Sequence, residues 1–337
     1  MKYFFLFICF LLIFVLSCTK PAEEEYKSPK VYAIQPLNIT NESAVFRATF
    51  ISGSEKIKEF GFEWRIITDT IYKKTTVQGY KDNFSFTATH LEEDTLYAVR
   101  SFIANADSIW YSNEFSFLTK GTVTDIDGNI YLTMRYGISV WMTENLRVIR
   151  FADGTPIEGR TSGKNDDLDG PVFYNDNNHT SNLSNPNFGL LYNWAAAAKA
   201  PDCNTHFFPN PLLPEANRGI CPKGWHLPTT LDWEKLISIY GGRDIAAIEL
   251  KSTNWTDYPL EANNYSQFSI EPAGYYDWDE NGGFKGLFQY AVFWTSDDNP
   301  LSTGVSASAI MTASKLTKIM PLIQMKKEGY SVRCVKN

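Results

Sequence analysis

Cys221-Pro-Lys-Gly-Trp-His-Leu-Pro-Thr229-Thr-Leu-Asp-Trp233-Glu-Lys-Leu-Ile-Ser-Ile-Tyr240-Gly-Gly242 contains the clearest helix in the chain. Pro228 closes an extended entry, and Thr229 or Thr230 offers a side-chain oxygen to the first free backbone N–H groups. Leu231, Trp233, Leu236, Ile237 and Tyr240 then recur at helical spacing, and Gly241-Gly242 ends the run. Leu190–Lys199, with Tyr-Asn-Trp and four alanines, reads as a second helix stopped by Pro201. From Tyr265 onward the pattern turns strand-like, and Asn281-Gly-Gly283 signals a hairpin. Upstream, Val123–Tyr131 reads as strand, turn and strand, with Asp127-Gly128-Asn129 supplying the turn. Residues 152–188 are rich in Asp, Asn, Gly and Ser and read as long loops.

Residues 31–119 read as strands throughout. In Ser43-Ala-Val-Phe-Arg-Ala-Thr-Phe50, residues Ala44, Phe46, Ala48 and Phe50 fall on one face. Further strands are expected at Glu59–Ile67, Asn83–Thr89, Leu96–Ala104 and Ile109–Leu118, which makes a β-sandwich of about ninety residues. Leu91-Glu-Glu-Asp-Thr-Leu-Tyr97 resembles the tyrosine corner of fibronectin type III domains, with Tyr97 as the corner residue. Such a module is expected to act as a spacer.

The N-terminus reads Met1, Lys2 and an apolar run from Tyr3 to Leu16. That run is short for a spanning helix, which needs roughly 20 apolar residues, and reads as a signal peptide over residues 1–17. Val15-Leu16-Ser17-Cys18 resembles the bacterial lipobox, which implies cleavage before Cys18 and lipidation of its thiol. The competing readings are an ordinary signal peptide or a single anchor. Several acyl chains on one residue would give lasting attachment, each buried methylene adding about 0.8 kcal/mol. Residues 18–30 are polar, hold two prolines and read as a flexible tether. Glu23, Glu24 and Glu25 resemble the surface-export signal of Bacteroidetes lipoproteins; a plain soluble spacer is the alternative. The expected location is the outer membrane, displayed at the cell surface, with the membrane itself as partner through Cys18.

The chain has 337 residues, 31 Lys and Arg, and 38 Asp and Glu. Losing residues 1–17, which hold one Lys, moves formal net charge from −7 to −8 and argues against nucleic acid as a partner. Of five cysteines, Cys9 leaves with the signal and Cys18 is spoken for, so Cys203, Cys221 and Cys334 can form at most one bridge.

Four blocks carry a further likeness: Val140-Trp-Met-Thr-Glu-Asn-Leu-Arg147, Tyr192-Asn-Trp194, Cys221-Pro-Lys-Gly-Trp-His-Leu-Pro-Thr229 and Gly329-Tyr-Ser-Val-Arg-Cys-Val335. In order and spacing they resemble the Fibrobacter succinogenes major paralogous domain. Pro272-Ala-Gly-Tyr275 and Phe293-Trp-Thr-Ser296 resemble family segments too. The resemblance implies an α+β C-type lectin-like domain over 121–337, with its last strand returned beside its first. It also implies a disulfide from Cys221 to Cys334, leaving Cys203 over, with a Cys203–Cys221 bridge as the competing pairing. Relatives of that fold include the formylglycine-generating enzymes.

Candidate chemistry follows. Asp277-Trp-Asp279-Glu-Asn281-Gly282 matches the first half of a calcium loop, but its twelfth position is Phe288, not the bidentate Glu such loops need. A hairpin turn is the simpler reading, so no cofactor is expected and Asp277, Asp279 and Asn281 are only weak calcium candidates. Lectin calcium motifs are not matched at Glu271-Pro272-Ala273 or Trp294-Thr295-Ser296. Asp166, Asp167 and Asp169 read as a solvated acidic loop. His90, His179, His206 and His226 lack zinc spacing, and no nucleophile elbow is present. Trp255, Tyr258, Tyr275, Tyr276 and Trp278, with Asp297 and Asp298 as acceptors, form the candidate ligand-binding set, since exposed rings suit sugar faces and protein hot spots. The expected function is a surface lipoprotein that binds glycan or protein without catalysis. The alternatives are a structural envelope component or an enzyme related to the formylglycine generators.

Overall fold

The computed structural model describes residues 26–78, 82–160, 169–175, 188–208, 218–255, 262–278 and 283–337. The signal segment, Cys18, Tyr258, Asp279, Asn281, Asp166, Asp167 and His179 lie outside the described residues.

The first unit holds strands β1 (Lys30–Leu37), β2 (Ala44–Ile51), β3 (Glu59–Ile66), β4 (Lys73–Thr76), β5 (Asn83–Ala88), β6 (Leu96–Ala104), β7 (Ile109–Tyr111) and β8 (Phe115–Leu118). One sheet runs β1-β2-β5; the other runs β4-β3-β6-β7, with β8 also paired to β6. All these pairs are antiparallel. This three-on-four order is that of a fibronectin type III-like sandwich. The alternation in β2 buries Ala44, Phe46, Ala48 and Phe50 between the sheets. Phe46, Phe60, Phe62 and Phe84 fill the space with rings 4.9–5.7 Å from their aromatic neighbours. The Tyr97 hydroxyl accepts the Glu92 N–H at 2.9 Å, and Leu91 is buried beside that corner.

The second unit opens with β9 (Gly121–Thr124), β10 (Ile130–Tyr136) and β11 (Ser139–Met142), followed by β12 (Glu158–Arg160), β13 (Val172–Tyr174) and β14 (Leu191–Tyr192). Next come α1 (Trp194–Ala198), β15 (Trp225–His226), α2 (Thr230–Ile239) and α3 (Ala246–Leu250). The remainder is β16 (Tyr275–Asp277), β17 (Gly283–Lys285), β18 (Tyr290–Asp298), β19 (Ser306–Ala313), β20 (Met320–Met325) and β21 (Val335–Lys336). Four small sheets result, ordered β15-β21-β11-β10-β9, β12-β13-β14, β16-β17 and β18-β19-β20.

The expected α+β C-type lectin-like class is therefore corrected: the chain is nearly all β. Helix among the described residues is confined to three short pieces, of which only α2 exceeds five residues. Helices that short depend on packing rather than on their own propensity. The alanine run after Tyr192 yields one turn only, because Asn193 caps it and Lys199 leaves it with φ 56°. The final strand joins the opening sheet, yet it lies against β11, not against β9.

α2 starts where its residues dictate. Thr229 accepts the Asp232 N–H, and the Asp232 carboxylate returns to the Thr229 N–H at 3.0 Å, a reciprocal cap. Its buried face, Trp233, Leu236 and Ile237, meets Trp141, Phe268 and Phe293; Trp141 and Trp233 pack edge to face at 5.0 Å. A second cluster gathers Tyr192, Trp194, Trp294 and Tyr330 around the alanines of α1.

Cys221 and Cys334, 113 positions apart in sequence, are joined by a disulfide with Cα atoms 5.9 Å apart. Cys203 is free and buried, its thiol 3.3 Å from the Lys326 carbonyl. On the chain-entropy model a loop of that length contributes roughly 4–5 kcal/mol. Reduction should therefore lower the unfolding free energy of the second unit by that order and leave the sandwich transition in place. Calorimetry with and without reductant checks this; a shift confined to the sandwich would contradict it.

Candidate functional site

Only Thr119 and Lys120 separate β8 from β9, and both are held. The Lys120 N–H donates to the Thr40 carbonyl at 3.0 Å, and the Asp94 N–H donates to the Lys120 carbonyl at 3.2 Å. The buried Thr119 hydroxyl donates to the Glu92 carbonyl at 2.6 Å, and Thr122 donates to the Glu93 carboxylate at 2.8 Å. Inter-domain linkers are commonly loose; this one fixes the end of the β1–β2 hairpin beside the second unit.

The facing wall is the loop at 263–270. It is closed locally by amides: Asn263 Oδ1 accepts the Tyr265 N–H at 2.9 Å, and Asn264 Oδ1 accepts the Ser269 N–H at 3.0 Å. From beneath, the Tyr136 hydroxyl donates to the Ser266 carbonyl at 3.0 Å and the Trp255 indole to the Ile270 carbonyl at 3.0 Å. The Arg333 guanidinium donates to the Phe268 and Ser269 carbonyls. So pinned, Asn264, Gln267 and Ser269 hold φ of 52°, 56° and 57°, a left-handed conformation that disfavours side chains. Asn38, across the gap, has φ 48°. These four are half of the eight non-glycine positive-φ residues among the described ones, so backbone strain is concentrated here.

Between the two walls lies a cleft of about 480 Å³, within the ordinary range for small-ligand sites. Gln35, Asn38, Arg47, Lys120, Tyr265 and Gln267 all line it. None of these six side chains has a hydrogen-bond or ion-pair partner among the described residues. Tyr265 is 67% exposed, so its ring is presented rather than packed. Arg47 Nε is buried without a partner. Lys120 is only 8% exposed, and burial pulls its ammonium down to about 8, opposed by Glu144 and reinforced by Arg333.

The residues expected to bind ligand take other places. Trp255 and Tyr276 are buried. Trp255 roofs the Lys251 ammonium at 4.5 Å, and Lys251 in turn donates to the Ala313 and Leu316 carbonyls at 2.5 and 2.6 Å. Tyr276 stacks on Tyr174 at 3.9 Å, over Gly329, where any Cβ would strike the Tyr174 ring and the Tyr276 Cβ. Tyr275 is half-buried against Tyr290, and Trp278 lies beneath the Lys327 ammonium at 4.5 Å. Asp297 accepts the Thr230 N–H at 2.6 Å, at the start of α2. Asp298 is a fully buried ion-pair partner of Lys326 at 3.0 Å and also accepts the Phe207 N–H at 2.7 Å. Asp277 pairs with Lys285 at 2.5 Å and Asp169 with Lys327 at 2.6 Å. No group of three or more His, Cys, Asp or Glu suited to a metal occurs among the described residues. Of the expected set, only Trp255 touches the cleft loop, and it does so from below. The cleft residues themselves carry no motif; the one signal available was the amide-rich Asn263-Asn264-Tyr265-Ser266-Gln267 run.

Residues 134–336 match the family model described as the Fibrobacter succinogenes major domain. No curated protein matches the chain. Among solved structures it is similar to the sensor domain of the anti-sigma factor RsgI4 in Pseudobacteroides cellulosolvens, at 14% identity, 27% of this chain, 93% of that one and a TM-score of 0.24. It is similar to the fn3 domain of human contactin 1 at 13% identity, 31% and 89% coverage and a TM-score of 0.21. A fibronectin type-III domain of human fibronectin type III domain containing protein 3 gives 14% identity, 29% and 90% coverage and 0.22. TM-scores this low carry no argument, and the sandwich stands on its own strand order.

An unpaired buried ammonium destabilises the free protein. Lys120 holds its proton less tightly when folded than at its ordinary 10.5, so stability climbs as pH rises from about 8 towards 10. Lys251, also drawn down to about 8 by burial, adds to the climb. Lys120→Met should raise stability at pH 7 by roughly 1–3 kcal/mol and reduce that climb. Urea titrations at pH 7 and 9.5 check both; a destabilised variant would contradict them.

Proposed function

Because the chain belongs to the Fibrobacter succinogenes major domain family, which spans residues 134–336, we propose that it is an envelope-facing lipoprotein that binds a saccharide, without catalysis, in the cleft between its two units. The observation behind this reading is the set of unspent polar groups. Gln35, Asn38 and Gln267 present amides to the cleft with no protein partner, beside the exposed Tyr265 ring. Amides supply donors and acceptors to hydroxyls, and an exposed ring supplies the flat face on which a pyranose rests. Gln35 and Asn38 are exposed and Gln267 half-buried, so their amides stand free to exchange water for a ligand's hydroxyls, and the strained backbone at Asn38 and Gln267 holds them in place.

The lipid on Cys18 would tether the chain to the outer membrane, and the acidic run Glu23–Glu25 would favour display at the surface. The sandwich then acts as the spacer that sets the cleft away from the bilayer. No helix among the described residues is long and apolar enough to cross a membrane.

Two experiments test this. A glycan array probed with the mature chain in detergent should return a defined set of oligosaccharides, and Tyr265→Ala should weaken binding at least tenfold with the fold intact by circular dichroism; unchanged binding would remove the cleft from the reading. Cys18→Ala, expressed in a bacterial host fed an alkyne fatty acid, should lose the label that the parent chain acquires; a variant still labelled would refute the anchor.

A further inference from the structure

We propose that the saccharide is anionic, and that Arg47 and Lys120 receive its charge. This rests on the cleft being the binding site. The cleft wall includes these two cations and no Asp or Glu, in a chain whose acids outnumber its bases by 38 to 31. Four other arginines are matched by carboxylates, Arg65 with Glu114, Arg100 with Glu63, Arg150 with Asp127 and Arg243 with Glu234, while Arg147 and Arg160 each hold a partner but keep one buried nitrogen unpartnered. Arg333, the fully buried one, is saturated by carbonyls and Asn145. Arg47 has neither, and its Nε is withdrawn from water with nothing to donate to.

Lys120 strengthens the case from the linker between the two units. It sits in the two-residue linker whose backbone is fixed on both sides, so its side chain cannot swing out by hinge motion of the linker. A buried charge lacking a partner weakens a fold, and replacing it with an apolar side chain is commonly neutral or better. Glu144 acts on the Lys120 charge without reaching ion-pair distance, and an incoming anion would supply the direct contact that the protein does not. A planar guanidinium takes a carboxylate or sulfate through two parallel N–H bonds, and an ammonium adds a point charge. The amides around them continue to serve hydroxyls. The ligand chemistry that fits is therefore a sugar chain with a uronic carboxylate or a sulfate ester, not a neutral glycan.

Calorimetric titration of the mature chain in detergent separates these ligands. The arms are an oligogalacturonate, its fully methyl-esterified form, a sulfated galacto-oligosaccharide and its desulfated form. At least one acidic ligand should bind tenfold or more tightly than its neutral counterpart, and should weaken steeply between 50 and 300 mM salt, concentrations chosen to span about 2.4-fold in screening length. Arg47→Met and Lys120→Met should each remove most of that preference while the weaker binding of the neutral form persists. Lys120→Met is expected to fold at least as well as the parent, so a loss there is not a folding artefact. Equal binding of acidic and neutral partners, a preference unmoved by both substitutions, or no binding of either acidic ligand would overturn the proposal. Equal binding abolished by Tyr265→Ala would leave the cleft reading standing without its charge; binding indifferent to Tyr265→Ala would remove the cleft itself.

Discussion

The second unit is organised around a buried guanidinium that makes no direct ion pair, the carboxylates of Glu271 and Glu144 acting on it only from a distance. Arg333 is fully buried, and burial draws it down to about 10, so it stays charged at neutral pH. Its Nε donates to Asn145 Oδ1 at 2.8 Å, its other nitrogens to the Phe268 and Ser269 carbonyls, and its plane lies over the Phe268 and Phe293 rings at 4.6 and 5.5 Å. Three distant stretches must therefore arrive together: the turn after β11, the loop at 263–270 and the last segment of the chain. A buried charge stripped of such partners is costly, so any arrangement that displaces one of them is penalised. Cys334, the next residue, closes the disulfide to Cys221, which locks the same segment from its other side.

That arrangement connects the most recognisable part of the sequence to the least recognisable part of the structure. Gly329-Tyr-Ser-Val-Arg-Cys-Val335 reads at sight as a block, yet nothing in it announces that its arginine props up a loop some 65 residues earlier. The floor of the cleft is motif, and its walls are not. Gln35 and Asn38 come from the irregular end of β1, where the register with β2 shifts between Ile34 and Leu37. Arg47 is an outward residue of an alternating strand, Lys120 a linker residue, and Gln267 an ordinary polar residue in a left-handed turn. No periodicity marks a site assembled by the approach of two units.

What was legible follows the same logic. The cap at Thr229 and the buried face of α2 are local, and local patterns are written in adjacent residues. The alternation of Ser43–Phe50 and the approach of Tyr97 to its own upstream backbone are local as well. The strand content of the second unit is hard to see in sequence because strands such as β14, β15 and β21 are two residues long and overlap the blocks of resemblance. Such strands show no period. The aromatic set was misleading for a related reason: Trp255 and Tyr276 look no different in sequence from rings that face water, and their burial depends on Lys251 and Tyr174 arriving beneath and beside them.

The core's buried charges are met from within, with a lysine between two carbonyls at Lys251 and an ion pair at Lys326 and Asp298, while neutral donors such as Trp64 Nε1 and Trp233 Nε1 stay unpartnered there. At the cleft the same chain leaves two cations unpaired, several amides unspent and half of its strained non-glycine residues in one neighbourhood. Strain persists only where the surroundings over-determine it, and here Tyr136, Trp255 and Arg333 do so from below. Arg147 and Arg160 also keep one buried nitrogen unpartnered, but each holds another side-chain bond; Arg47 holds none, and a binding role lets its partner come from outside.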